Sequence, residues 1–186
     1  MMCVEVQSRT LSHPLLDVKS AKSLWAEILN CLTIASDKGI LKSKPHEIRK
    51  FLQKYESSEI GKKGYYAIMG GAKNQDRDPN IPHFKLHNGR WFDFAITIDE
   101  TVKPAQVIGF DFEIRFPKGE KDTAVPFLRI DLNLPEHKNE LENMRFHLHP
   151  SNDDIMIHSP PMSPIEILHM FLYGMQIRDK SRSMRS

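Results

Sequence analysis

Ile108-Gly109-Phe110-Asp111-Phe112-Glu113-Ile114-Arg115-Phe116 is the stretch that decides the fold: every second residue is apolar, and most of those between are charged. A period of two is that of a β-strand, whose successive side chains point to opposite faces. The same pattern recurs on both sides. Upstream, after a turn signal at Asn88 and Gly89, Phe92, Phe94, Ile96 and Ile98 alternate with Asp93, Ala95, Thr97 and Asp99. Downstream of a turn at Pro117 to Gly119, Leu128, Ile130, Leu132 and Leu134 alternate with Arg129, Asp131 and Asn133. Met144, Phe146 and Leu148 then alternate with Arg145, His147 and His149. Such regular alternation with short connections predicts an antiparallel sheet with one buried face and one polar face. Strands are expected to begin near Ile81.

Helical periodicity frames this block. Leu24, Trp25, Ile28, Leu29 and Leu32 fall at helical spacing within a helix expected over 17–31, with Asp17 or Ser20 available as cap. Pro45 at a first-turn position and Glu47 open a second helix, whose stripe of Ile48, Phe51, Leu52 and Tyr55 should face the core. The glycines and polar run between Ser57 and Asn80 read as a long loop around a short apolar segment, the best candidate for a mobile region. Ser163, Pro164 and Glu166 form a capping box for a last helix over 164–173. Apolar residues occupy most of its circumference, which predicts deep packing or a subunit interface. The expected fold is therefore α+β: an antiparallel β-sheet with N-terminal helices and a C-terminal helix packed on one face. It forms a single domain over 1–177, followed by a basic, disordered tail over 178–186.

Composition narrows the class. A chain of 186 residues with 40% hydrophobic and 27% charged residues buries a core and fits one domain. No apolar run approaches the roughly 20 residues of a spanning helix, and Glu5 and Arg9 interrupt the N-terminal stretch, so the expected location is the cytoplasm, with no membrane partner. Cys3 and Cys31 stand in no ligand-like spacing, which argues against thiolate zinc and redox chemistry. The net charge of +2 is concentrated in the tail, where Arg178, Lys180, Arg182 and Arg185 face only Asp179. A uniformly basic nucleic-acid binder would look different.

The outward positions of the later strands collect Asp111, Glu113 and Arg115, then Arg129, Asp131 and Asn133, then Arg145, His147 and His149. On neighbouring strands these side chains meet. Histidines that move protons and arginines that hold phosphate oxygens suit phosphodiester chemistry, and an RNA substrate would bring its own 2′-hydroxyl as nucleophile. In this reading His147 and His149 transfer protons, Asp131 orients a histidine, and Arg129, Arg145, Asn133 and Arg115 bind substrate; no metal and no cofactor is needed. The competing reading is a solvated face whose opposite charges form cross-strand pairs. A metal held by His147 and His149 with Asp131, His137 or His158 is a weaker alternative, because the spacing matches no strong zinc motif and arginines adjoin it. Ser159 beside His158 and Asp154 lacks a nucleophile elbow, and Gly70, Gly71 and Lys73 lack the spacing of a phosphate loop.

The strand Phe110 to Phe116, then Arg129-Ile130-Asp131-Leu132-Asn133 with Pro135 and His137, then Phe146-His147-Leu148-His149 and a Ser-Pro-rich link into an apolar helix, together resemble the TumE-type toxins of bacterial toxin–antitoxin pairs. The resemblance covers about residues 90–173. Here Leu132 separates the Asp from the Asn, and the family's compact histidine cluster is thinned to His137, His147 and His149. The resemblance implies a toxin-like fold that binds or cleaves RNA as a ribonuclease beside a cognate antitoxin. The alternative role is that of a non-catalytic subunit in an antiviral defence or ribonucleoprotein complex, docking or oligomerising through the C-terminal helix.

Overall fold

Strands β5 (Trp91–Asp99) and β6 (Ala105–Arg115) form the spine of the sheet in a computed structural model that describes residues 14–57, 63–119 and 124–175, together with Glu5, Ser8, Leu11 and Ser12. The alternation seen in the sequence sets their register: Phe92 lies opposite Ile114, Phe94 opposite Phe112 and Ile96 opposite Phe110, with an irregularity between Thr97 and Ile98. β7 (Phe127–Leu132), β8 (Phe146–Pro150) and β9 (Ile157–His158) extend the sheet on one side. On the other side lie β3 (Tyr65–Gly70) and β2 (Leu52–Glu56). The two-residue strands β1 (Asp17–Val18) and β4 (Phe84–Lys85) pair with the starts of β6 and β5. Among the described residues, nine strands form one sheet in the order β2-β3-β5-β6-β7-β8-β9, with β1 and β4 as side pairings, and every pair is antiparallel.

The apolar face carries the core. Phe94 stacks on Phe112 at 4.9 Å between ring centroids, and Phe110 meets Phe146 edge-on at 5.5 Å. Helix α1 (Ala21–Asp37) buries Leu24, Ile28 and Leu32 against this face. Its N-cap is Ser20, whose hydroxyl accepts from the Ser23 N–H at 3.0 Å. Helix α3 (Pro164–His169) continues as a wider turn over Met170–Gly174. There Phe171 is fully buried, with its ring 5.9 Å from Phe92 and 6.2 Å from Phe112. Ser163 and Glu166 make the expected capping box. The chain is thus an α+β protein with its helices over one sheet face, and among the described residues no helix is long and apolar enough to cross a membrane. The tail over 178–186 lies outside the described residues.

Three expectations are corrected. Helix α2 opens at Pro45 as expected but ends at Phe51. From Leu52 the chain is extended, because Leu52 to Glu56 pair residue by residue with Gly70 to Tyr66. Only Leu52 of this strand is buried, so the apolar Tyr55 that seemed to continue the helical stripe is exposed. The loop expected over 57–80 contains β3, which hydrogen-bonds to β2 and β5 on its two sides and is an interior strand of the sheet. Strands, expected to begin near Ile81, begin earlier, with β1 at Asp17, β2 at Leu52 and β3 at Tyr65.

Candidate functional site

The polar face is not a plain solvated surface. Asp93, Glu113, Arg115, Asp131, Arg145, His147 and His149 are each no more than 8% exposed. Asp93, Glu113, Arg115 and Asp131 among them line an open cleft of about 810 Å³, bordered by the segment Ala72 to Arg77, by Asn133 to His137, and by Asp153. The cross-strand register explains the crowding. Asp93 lies opposite Glu113, Glu113 opposite Arg129, and Arg129 opposite His149, while Asp111 lies opposite Asp131 and Asp131 opposite His147. Two charge ladders therefore run across the floor.

The first ladder is dominated by ion pairs. Arg115, 2% exposed, donates through Nη1 to Asp93 and through Nη2 to the Asn74 carbonyl at 2.9 Å, its Nε lies 2.7 Å from Glu113, and its guanidinium sits 4.5 Å from the Trp91 ring centroid. Burial, opposed by Arg115 and reinforced by Glu113, pushes the Asp93 carboxyl up to about 6. Arg77, from the bordering segment, donates to Glu113 at 2.9 Å and lies 3.6 Å over the Phe127 ring. It holds this place with φ at 53°, a left-handed conformation that a non-glycine residue adopts at a cost.

Arg77 and Arg129 converge on one oxygen. Asp153 Oδ1 accepts from Arg77 Nη2 at 2.9 Å and from Arg129 Nη1 at 2.6 Å, and the Asp153 side chain is 52% exposed. A solvent-accessible carboxylate thus occupies a two-arginine fork at the cleft edge, in the geometry an oxyanion takes.

The two ladders end on β8 in the histidines, His149 in the first and His147 in the second. Both sit on β8 two residues apart, on one face, and their Nε2 atoms lie 3.0 Å from each other. Asp131 Oδ2 is 3.3 Å from His149 Nε2 and 3.6 Å from His147 Nε2, and it accepts from Arg129 Nε at 2.8 Å. His147 Nδ1 is 2.6 Å from the Met144 carbonyl, which makes Nδ1 the protonated nitrogen of the neutral ring and leaves the Nε2 lone pair facing the cluster. Burial first, then the neighbouring His149, lowers the His147 pKa, against the raising effect of Asp131. The histidines do not line the cleft; Asp131 does, and links them to it. Asp131 Oδ1 is buried without a hydrogen-bond partner.

Asp111 completes the floor. Crowding by the pocket walls, together with the charges of Asp131 and Asp93, pushes its carboxyl up to about 7. Its side chain is open to solvent from the cleft.

Of the residues expected from sequence, Asp131, His147 and His149 come together, and Arg129, Arg115 and Asn133 line the cleft. Arg145 is directed elsewhere: its guanidinium donates to the Asn133 and Ile108 carbonyls at 2.9 and 3.0 Å and lies 3.8 Å from Glu140. Its place is in tying β8 to its neighbours, away from the cleft. Arg77, Asp153 and Asp93 were missed as site residues. The clustered polar run from Asn74 to Asp78 was the available signal for Arg77.

The segment bordering the cleft is itself anchored by His83, whose ring is 4.4 Å from that of Trp91 and whose Nδ1 is 2.6 Å from the Ile81 carbonyl. Burial, with the charges of Lys85 and Arg115, lowers its pKa to about 4 despite the Ile81 contact. The unfolded chain then binds a proton at His83 between about pH 6.5 and 4 that the folded chain refuses. Stability is complete above this window and falls as pH drops through it, by on the order of 2–3 kcal/mol. Urea midpoints at pH 7.5 and 4.5 check this: the gap between the chain and its His83→Gln variant should shrink at the lower pH. A constant gap would remove the assignment.

No family model matches the chain, no curated protein matches its sequence, and no solved structure matches it.

Proposed function

We propose that this chain is a toxin-like RNA-binding protein that cleaves RNA in the polar cleft, acts in the cytoplasm and is held in check by a cognate partner. The observation that carries the reading is the junction of two features: a two-arginine fork at Arg77 and Arg129, and an acid–base cluster at Asp131, His149 and His147 that begins at the other end of the same Arg129 guanidinium. The resemblance of the stretch from Arg129 to His149 to the TumE-type toxins supplies the substrate class.

In this reading a phosphate of the RNA backbone displaces Asp153 from the fork and takes its place between the two guanidiniums, which then oppose the charge that grows on phosphorus in the transition state. The adjacent 2′-hydroxyl attacks phosphorus, its proton passes to Asp131 and the histidine pair behind it, and the P–O5′ bond breaks to leave a 2′,3′-cyclic phosphate and a 5′-hydroxyl that takes its proton from solvent. The His147 ring, pinned through Nδ1 on the Met144 carbonyl, offers Nε2 as the acceptor. The cleft is not a polycationic groove, since the carboxylates lining it outnumber the basic side chains. Affinity should therefore rest on the fork and fall only moderately with salt.

A labelled RNA oligomer incubated with the purified protein tests this. Cleavage is expected, with His149→Ala and Asp131→Asn each slowing it by about 100-fold or more while the circular dichroism spectrum is retained. Equal rates in the folded variants and the parent would sink the nuclease reading.

One observation favours a second role. Leu141, Ile155 and Ile157 are exposed apolar side chains around the terminal strand β9, and Asn139 touches Met156 at 3.4 Å, so the two loops that carry them adjoin. A protein partner covering this edge would suit an antitoxin or, alternatively, a defence or ribonucleoprotein assembly in which the chain is a non-catalytic subunit. In the latter case the histidine variants leave function intact.

A further inference from the structure

We propose that Asp131, His147 and His149 form a mononuclear site for a divalent first-row transition ion. Their ligand atoms make a triangle with edges of 3.0 Å between the two Nε2 atoms and 3.3 and 3.6 Å from these to Asp131 Oδ2. A point ~2.1 Å from all three atoms exists just off the plane of this triangle, and that is the length of zinc–imidazole and zinc–carboxylate bonds. Two histidines and one carboxylate on a single triangular face make the donor set known from open transition-metal sites.

Three further details support an ion. The Met144 carbonyl fixes His147 as its Nδ1–H tautomer and aims the Nε2 lone pair at the triangle, as outer-shell carbonyls do for ligating histidines. The Nε2 atoms lie 3.0 Å apart, where either one N–H···N bond donated by His149 or a shared cation fits, and a bound ion would replace that proton. Asp131 Oδ1 is buried with no donor, in a residue 7% exposed. The group that competes is Arg129, whose Nε donates to Oδ2 at 2.8 Å. It satisfies one oxygen only and orients the carboxylate, which is the role of an outer-shell partner. Two imidazoles disfavour magnesium and calcium, which take oxygen ligands.

The ion would occupy the Nε2 lone pairs that metal-free RNA cleavage uses as proton acceptors, so the two readings are alternative uses of one cluster and fail separately. Chelator-treated protein titrated with Co²⁺ should bind one equivalent and develop visible d–d absorption, and Zn²⁺ should displace it. His149→Ala and Asp131→Asn should lower the affinity at least 100-fold, while His87→Ala, at an exposed histidine on the turn before β5, should leave it unchanged. Should the buried variants fail to fold, X-ray absorption of the zinc-loaded parent gives an independent answer, with two imidazole ligands expected. No binding at micromolar metal, full binding by folded His149→Ala, or a spectrum without imidazole each overturns the site. Metal binding without RNA cleavage would keep the site and end the nuclease reading; RNA cleavage without metal binding would do the reverse.

Discussion

Arg115→Ala should destabilise the fold by about 3–5 kcal/mol, because it removes the cation from a buried group of carboxylates instead of removing a whole ion pair. Arg115 is 2% exposed, and Asp93 and Glu113, its two partners, are 7% and 5% exposed. All three lie on the floor of the cleft, with side chains almost fully buried. Glu113 keeps Arg77, 2.9 Å away, but Asp93 has no other salt-bridge partner among the described residues, and the Asn74 carbonyl also loses the bond that fixes the bordering segment. A double-mutant cycle isolates the cause: Asp93→Asn in the Arg115→Ala background should restore a substantial part of the loss, since the stranded charge is gone. Chemical denaturation of the four proteins reads this directly. If the double variant is as unstable as the sum of the singles, the loss comes from packing against Trp91 and not from the unpaired carboxylate.

How far the sequence carried depends on which force shapes each element. β5 to β8 were legible because each has one face in the helix-covered core and one on the cleft, and that asymmetry writes alternation into the chain. The same alternation placed Asp131, His147 and His149 on one face, since strand parity requires it. β2 was read as helix because Leu52 and Tyr55 continue the spacing of Ile48 and Phe51, while its exposed residues impose no pattern of their own. Asp153 was invisible, and Arg77 signalled only by the polar run around it, for a different reason: Arg77 meets Glu113 across 36 residues of sequence and Asp153 across 76, so no local pattern joins them. A solvated polar face stood as the competing reading because charged residues seldom bury; here they do so by pairing with one another, which no single strand reveals.

Gly70 shows what was lost with β3 and carries the second large effect. Tyr65 to Gly70 are flanked and ended by glycines and hold few polar residues, so the segment offers neither alternation nor charge and reads as a loop. In the sheet Gly70 sits opposite Phe94, and a β-carbon there would fall well inside 3.0 Å of that ring. Phe94 cannot swing away, being 1% exposed and stacked on Phe112. The glycine therefore provides a seat for an aromatic ring lying across the neighbouring strand, not flexibility. Gly70→Val should cost about 3 kcal/mol or more in stability, the upper range of overpacking, although valine has the better strand propensity. A Gly70→Val/Phe94→Leu pair should recover part of that loss by removing the ring that clashes. If Gly70→Val alone proves neutral or stabilising in thermal and urea unfolding, the strand is not packed under Phe94, and the register of β3 on β5 would need to shift.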